Sequence, residues 1–181
     1  MRIIGGQHRG LTLASVGKGD AAAHLRPTPD RVRESLFNIL NSYGLPHGAR
    51  VLDLFAGTGA LGLEALSRGA AHVTFVDNGR TAQGLIRENI KKVRREGEVT
   101  LLSCTAEKLP LAPASCDLIF LDPPYGKMLG GAAVLAAQAQ GWIAPDALIV
   151  MEDNAPQGVR GFAQADLRKY GDTHVTLLRA P

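Results

Sequence analysis

VLDLFAGTGALG, residues 51–62, is the stretch from which the fold can be read. Val51, Leu52, Leu54 and Phe55 make an apolar run of strand character, and Ala56-Gly57-Thr58-Gly59 interrupts it. Ala60, Leu61, Leu63, Ala65 and Leu66 then begin a helical pattern at once, so the order is strand, glycine turn, helix. Gly57 and Gly59 carry no Cβ, which lets the turn adopt positive φ and lets a ligand approach the backbone, while the helix N-terminus behind it offers unpaired N–H groups. A small polar ligand fits such a turn. The spacing Gly57-x-Gly59-x-x-Gly62, with Asp77 fifteen residues beyond, also satisfies the dinucleotide fingerprint of NAD-binding folds, so the turn alone leaves the ligand open.

Two further features narrow the choice. Asp53 lies inside the strand, four residues before Gly57, and DPPY (Asp122, Pro123, Pro124, Tyr125) ends a later apolar run. Together they resemble the S-adenosylmethionine-dependent methyltransferases of the Rossmann-like class. That resemblance implies S-adenosyl-L-methionine as cofactor, held by Asp53, Phe55, Ala56, Gly57, Thr58 and Gly59 at the first turn.

Composition sets the outer bounds. The chain of 181 residues, 45% apolar and 20% charged, fits a single globular domain with a sizeable core. The first residues lack the apolar centre of a signal peptide and no run reaches the length of a membrane span, so a cytoplasmic protein without membrane attachment is expected. Cys104 and Cys116 are too few for a disulfide framework and lack metal-site spacing, so reduced thiols and no metal are expected. The charge is uneven. Residues 1–50 hold seven Lys or Arg against three Asp or Glu, a balance of +4 out of +3 for the whole chain, which suggests a polyanionic partner docking at one end.

Residues 1–25 read as a basic hairpin and loop, 26–48 as a helix region and 49–181 as the core. Within 2–13, short apolar pairs flank a Gly/Gln/His/Arg centre, so a small hairpin with His8 and Arg9 at its tip is expected to touch phosphate. Residues 14–25 have no sustained period and read as a loop. Thr28 can cap a helix whose first residue is Pro29, with Val32, Leu36, Ile39 and Leu40 on one face and Arg31, Arg33, Glu34 and Asn38 on the other. Here the likeness sharpens. GGxxRGxxL (Gly5, Gly6, Arg9, Gly10, Leu13), RPTPDRVRESLFNIL (26–40), LDLFAGTGALGLEALSRGA (52–70) and FLDPPY (120–125) resemble, over roughly the whole chain, the RsmD family of 16S rRNA guanine-N2 methyltransferases. The resemblance implies 16S rRNA as substrate, within a small-subunit assembly intermediate, and RNA contacts from His8, Arg9, Arg26, Thr28, Arg31 and Arg33.

Asp77 ends a second strand (72–76), where an acid can accept both ribose hydroxyls of an adenosine, with Asn78 beside it. A helix over about 80–95 follows, closing in Lys91-Lys92-Val93-Arg94-Arg95, which the helix macrodipole accounts for without an RNA role. A third strand (99–104) leads to Thr105, Ala106 and Glu107. In the methyltransferase class an Asp or Asn is usual at the position of Thr105, a departure that leaves the adenine contact to backbone groups or Glu107, while Ala106 matches the usual small residue.

The strand over 116–121 delivers DPPY to the carboxyl edge of the sheet. Its prolines fix φ and remove two N–H donors, leaving a rigid corner rich in acceptors. An exocyclic amine is a poor nucleophile because its lone pair is delocalised into the base. Asp122 and the Pro123 carbonyl, each accepting one N–H, would turn that nitrogen toward tetrahedral geometry, and Tyr125 offers a face on which an extruded base can rest. The motif fits adenine N6, cytosine N4 and guanine N2 alike.

A helix (130–142), a strand (147–152), a loop (156–162) and a hairpin (165–169 with 174–179) complete the chain. The fold expected from the resemblance is α/β: a Rossmann-like, seven-stranded, mostly parallel sheet with a C-terminal antiparallel hairpin. A DNA amine methyltransferase and a nucleic-acid or dinucleotide binding module are the competing readings. Nothing outside the core is long enough for a DNA target-recognition domain, and a binding module has no use for DPPY.

Overall fold

Alternation along β1 (Arg50–Leu54) sets up the layers. Val51 joins Leu118, Phe120, Val150 and Leu177 on one face, whereas Leu52 and Leu54 join Ile119, Leu121, Ile149 and Leu178 on the other. A strand buried on both sides requires this two-residue period. The computed structural model describes residues 1–17, 25 and 27–181. Within them β1, β2 (His72–Val76), β3 (Val99–Leu102), β4 (Cys116–Leu121) and β5 (Ile143–Asp153) run parallel, and β6 (Ala163–Tyr170) and β7 (Thr173–Arg179) form the closing hairpin. The described strands make one seven-stranded sheet in the order β3-β2-β1-β4-β5-β7-β6, with β7 antiparallel to β5. This is the expected Rossmann-like α/β sheet. The antiparallel β7 beside β5 sets it apart from the all-parallel dinucleotide-binding order.

Helices α1 (Asp30–Ser42), α2 (Ala60–Ser67) and α3 (Arg80–Val93) cover one face through Leu36, Phe37, Leu63, Leu66, Ile86 and Ile90. Helix α4 (Leu129–Ala139) covers the other through Ala133, Val134 and Ala137. At about 1.5–3 kcal/mol for each fully buried Val, Leu, Ile or Phe, these two clusters outweigh any single polar contact in the molecule. No helix among the described residues is long and apolar enough to cross a membrane.

Several boundaries differ from the expectation, each for a local reason. Helix α1 starts at Asp30, and the Thr28 hydroxyl caps nothing, since it donates to Glu152 at 3.1 Å. Its buried face is Arg33, Leu36, Phe37 and Leu40, turned about one position from the expected one. Helix α3 stops at Val93, where Arg94 enters the left-handed region at φ 54°. Helix α4 stops at Ala139, because Trp142 turns into the core and its indole N–H donates to the Pro110 carbonyl at 2.8 Å. Strand β3 ends at Leu102, two residues early, and β5 begins at Ile143, four residues early. Both cysteines are free.

The N-terminal hairpin is present. The Ile3 N–H donates to the Leu11 carbonyl at 2.9 Å and the Gly10 N–H to the Ile3 carbonyl at 2.8 Å. It lies along α2, whose Glu64 carboxylate accepts the Ile4 and Gly5 N–H groups at 2.9 and 2.8 Å. Arg68 reaches Glu64 at 2.8 Å, and Arg33, 0% exposed, stands between Glu64 and Asp30 with a 2.8 Å bond to the latter. Hairpin, α1 and α2 are thus joined through one buried group of charges. At Gly6 an added Cβ would lie 2.0 Å from the Ser67 carbonyl oxygen, so only glycine fits that contact.

Candidate active site

The sheet order reverses between β1 and β4, and in open α/β sheets that is where ligands bind, beyond the carboxyl ends of the strands. The register pairs Leu54 with both Val76 and Leu121, so the turn after β1 has the ends of β2 and β4 on either side. The chain leaves β1 through Phe55, Gly57 and Gly59 at φ of 59°, 59° and 81°. Phe55 bears a side chain in that left-handed region, an uncommon state that the surrounding structure has to hold. Two bonds hold it: the Ala56 N–H donates to the Val76 carbonyl at 3.1 Å, and the Gly59 N–H to the Ala56 carbonyl at 2.7 Å.

Asp53 sits beneath the turn rather than in the crevice. It is 2% exposed, and its carboxylate accepts the Gly62 N–H at 3.0 Å, one of the donors that the start of α2 leaves unpaired. Burial pushes this carboxyl up to about 8, against the pull of the Gly62 bond. Expected as a cofactor ligand, Asp53 is placed as a brace for the turn. Thr58 also turns away, with its hydroxyl 3.9 Å from the Met1 sulfur and its carbonyl accepting the Asn89 amide at 2.9 Å. The third glycine serves packing, since a Cβ on Gly62 would stand 2.4 Å from the Phe75 ring.

Asp77, at the end of β2, accepts the Gly57 N–H at 2.9 Å and the Gly79 N–H at 2.8 Å, one on each oxygen. Each oxygen keeps a lone pair, so the carboxylate can take two further donors side by side, as a ribose diol presents them. Asn78 is exposed next to it. Beyond the neighbouring β3, Thr105 is half-buried and closes a turn with Lys108, Ala106 packs into the second core cluster, and Glu107 is exposed. A rigid, glycine-shaped cradle with an adjacent diol acceptor suits an adenosine-type cofactor.

The proline corner follows β4 on the other side. Asp122 and Tyr125 are half-buried, Pro123 is buried and Pro124 is exposed. Strand alternation puts Asp53, Asp122 and Glu152 on one face of three neighbouring strands, and the pairing of Leu121 with Met151 sets Asp122 opposite Glu152. Burial, then Glu152, Asp53 and Asp153 in that order, hold the Asp122 carboxyl well above the usual carboxylate range. The Tyr125 hydroxyl donates to Glu152 at 3.2 Å and lies 3.2 Å from the Thr173 hydroxyl, and burial pushes the phenol up to about 12. Sequence analysis does not single out Glu152. Its signal was there: Met151-Glu152-Asp153 closes an apolar strand at the same edge as DPPY.

The residues expected at RNA divide. Arg31 is exposed in the first turn of α1. Arg26 lies outside the described residues. Thr28 and Arg33 are buried, Thr28 on Glu152 and Arg33 in the charge group against Asp30, so neither lies on an exposed face. The hairpin tip lies at the C-terminal end of α2, away from the glycine turn at the start of that helix. The Gln7 N–H donates to the Ser67 carbonyl at 2.8 Å and the His8 N–H to the Ser67 hydroxyl at 2.9 Å. Ser67 is the last residue of the eight-residue α2, about 12 Å along the helix from the glycine turn. His8 is half-buried there, its imidazole shifted down by burial and then by Arg95, while Arg9 is exposed.

The chain as a whole is similar to known proteins. A family model described as "Conserved hypothetical protein 95" matches residues 1–179. The chain is 36% identical over 159 residues, 88% of its length and 77% of the relative's, to "Ribosomal RNA small subunit methyltransferase D" of Escherichia coli. To "Putative rRNA methyltransferase YlbH" of Bacillus subtilis it is 34% identical, covering 99% of this chain and 98% of that one. A solved structure, "Putative methyltransferase yhhF from Escherichia coli", superposes with a TM-score of 0.84 at 34% identity over 99% of this chain and 97% of that one.

Proposed function

The chain belongs to the RsmD family, and from that membership we propose that it is an S-adenosylmethionine-dependent methyltransferase acting on the exocyclic N2 of a guanine in small-subunit rRNA, in the cytoplasm. The observation that carries the reading is the register of β1 with β4, which sets the glycine turn and the proline corner side by side at the switch point of the sheet. S-adenosylmethionine, when bound, supplies a methyl group on an electrophilic sulfonium. Asp77 would take the ribose hydroxyls, and the turn of residues 55–59, with the Leu25 side chain beside Gly57, would line the rest of the cofactor site.

Asp122 and the Pro123 carbonyl each accept one N–H of the target amine. That draws the nitrogen lone pair out of conjugation and aims it toward the cofactor side of the crevice, and the negative charge stabilises the cation that grows on nitrogen. Tyr125 supports the extruded base, a contact worth roughly 1–3 kcal/mol. The proton leaves after transfer, when the product ammonium is acidic. Arg31, exposed three residues after the Thr28 that bonds Glu152, is a cation available to the RNA backbone, and base recognition draws on the fold of the RNA within a small-subunit assembly.

The test is methyl transfer from labelled S-adenosylmethionine to small-subunit rRNA, naked and in assembled particles, followed by mass analysis of the nucleosides. Label in N2-methylguanosine is expected, together with thermal stabilisation by S-adenosylmethionine and none by NAD. Label confined to another amine, or to DNA, would overturn the assignment.

A further inference from the structure

Glu152 does no work in the mechanism above, yet it is among the most heavily engaged carboxylates in the molecule. It is 8% exposed, with one oxygen accepting the Tyr125 hydroxyl at 3.2 Å and the other accepting the Thr28 hydroxyl at 3.1 Å. Through the Tyr125 hydroxyl, which lies 3.2 Å from the Thr173 hydroxyl, it is also linked to the first residue of β7. One side chain therefore ties together the proline corner, the residue that leads into α1 and the last hairpin. It stands opposite Asp122 on a parallel neighbour, a backbone separation of about 4.8 Å.

We infer that Glu152 is a positioning residue for the transfer: it fixes the Tyr125 ring and the entry to α1, and its carboxylate governs the charge state of Asp122. This rests on the methyltransferase reading. Two acids on one face of adjacent strands resist carrying two charges at once, so the pair titrates as a unit. The groups acting on Asp122 are Glu152 and Asp153 from β5 and Asp53 from β1, all acidic; Tyr125 of its own corner is linked to it through Glu152. The two hydroxyl donors pull in the opposite direction on Glu152, offsetting part of its burial. Asp122 accepts an amine N–H best when ionised, and an ionised Glu152 opposes that. Activity should therefore fall on the acid side as the pair takes up its proton.

The experiment uses the full chain with Glu152→Gln, which keeps the shape and removes the charge. Two readouts are followed: the pH titration of the Asp122 carboxyl by carbon NMR in the protein alone, and the pH profile of kcat/KM for rRNA. The expected result is that the Asp122 titration and the acid limb both move to lower pH. The ratio of variant to wild-type kcat/KM should then rise by about tenfold or more between plateau and acid limb. An Asp122 titration that stays in place would overturn the inference, and a lowered plateau with an unmoved limb would reduce Glu152 to scaffolding. Should wild-type protein fail to modify rRNA, the methyltransferase reading falls, while the NMR titration still decides the coupling. Thr28→Val is the second variant. By removing one donor it moves the shared proton toward Glu152, so the Asp122 titration should shift the same way, and less. No shift there would count against the coupling even if Glu152→Gln does not fold.

Discussion

Two pairs of acids stand at the ends of neighbouring strands, and the fold treats them in opposite ways. On the β1–β2 side, Asp53 and Asp77 accept backbone N–H groups from Gly62, Gly57 and Gly79. On the β4–β5 side, Glu152 accepts only hydroxyls, and among the described residues no donor reaches Asp122. The first pair is spent on the shape of the cofactor turn. In the second pair Glu152 is engaged by two hydroxyls and Asp122 keeps its acceptor capacity, which in the proposed reaction serves the amine N–H groups beside prolines that have no N–H to offer.

Substitutions on the two sides should therefore separate binding from transfer. Asp122→Asn is expected to lower methyl transfer by roughly 10²–10³-fold, the scale of losing one charge-stabilising group in a transition state, with the affinity for S-adenosylmethionine unchanged. Asp77→Ala should weaken cofactor binding by at least about tenfold, because two charge-assisted bonds and the anchor of Gly57 go together. Calorimetric titration with the cofactor and single-turnover transfer give the two numbers for each variant. Equal loss of cofactor affinity in both would erase the distinction.

A smaller effect concerns stability. Asp53 is raised in the folded protein by its burial, so the native state holds its proton over a range, from the usual carboxylate region to about 8, in which the unfolded chain has released it. With more protons bound to the native state, stability falls as pH rises through that window. Asp53→Asn keeps an oxygen for the Gly62 N–H and carries no titration, so its urea midpoint should change less between pH 5 and 8 than that of wild type. A slope identical to the wild type's would mean that the brace is ionised throughout.

What could be read in the sequence follows the same line between local and long-range causes. The glycine turn, the bounds of β2 and β4 and the DPPY corner are local patterns, and they appear at the expected positions. Arg33 could not be read, because an arginine counts as polar by its type. Only the partners brought by α2 and the hairpin, Glu64 across 31 residues and the Arg2 carbonyl, make its position part of the core. The same holds for the hairpin tip: its residues suggested phosphate, but Ser67 and Glu64, some 60 residues away, decide where it points. Glu152 closes a legible strand, but a single acid at a strand end shows its use only when the neighbouring strand is known.

The smallest predicted effect tests which edge faces RNA. Arg31 lies in the first turn of α1, three residues after the Thr28 that bonds Glu152, and Arg9 at the far end of α2, and both are exposed. Neutralising a phosphate contact removes about one unit from the slope of log affinity against log salt, whatever the RNA sequence. Arg31→Ala should therefore weaken rRNA binding and flatten that slope by about one, whereas Arg9→Ala should leave both close to wild type. A charge removed from an edge that the RNA does not reach changes little once salt screens it over roughly 10 Å. If the two variants lose affinity equally, the substrate must wrap around α2 to the opposite edge, and the hairpin would then read RNA at a distance from the base that is methylated.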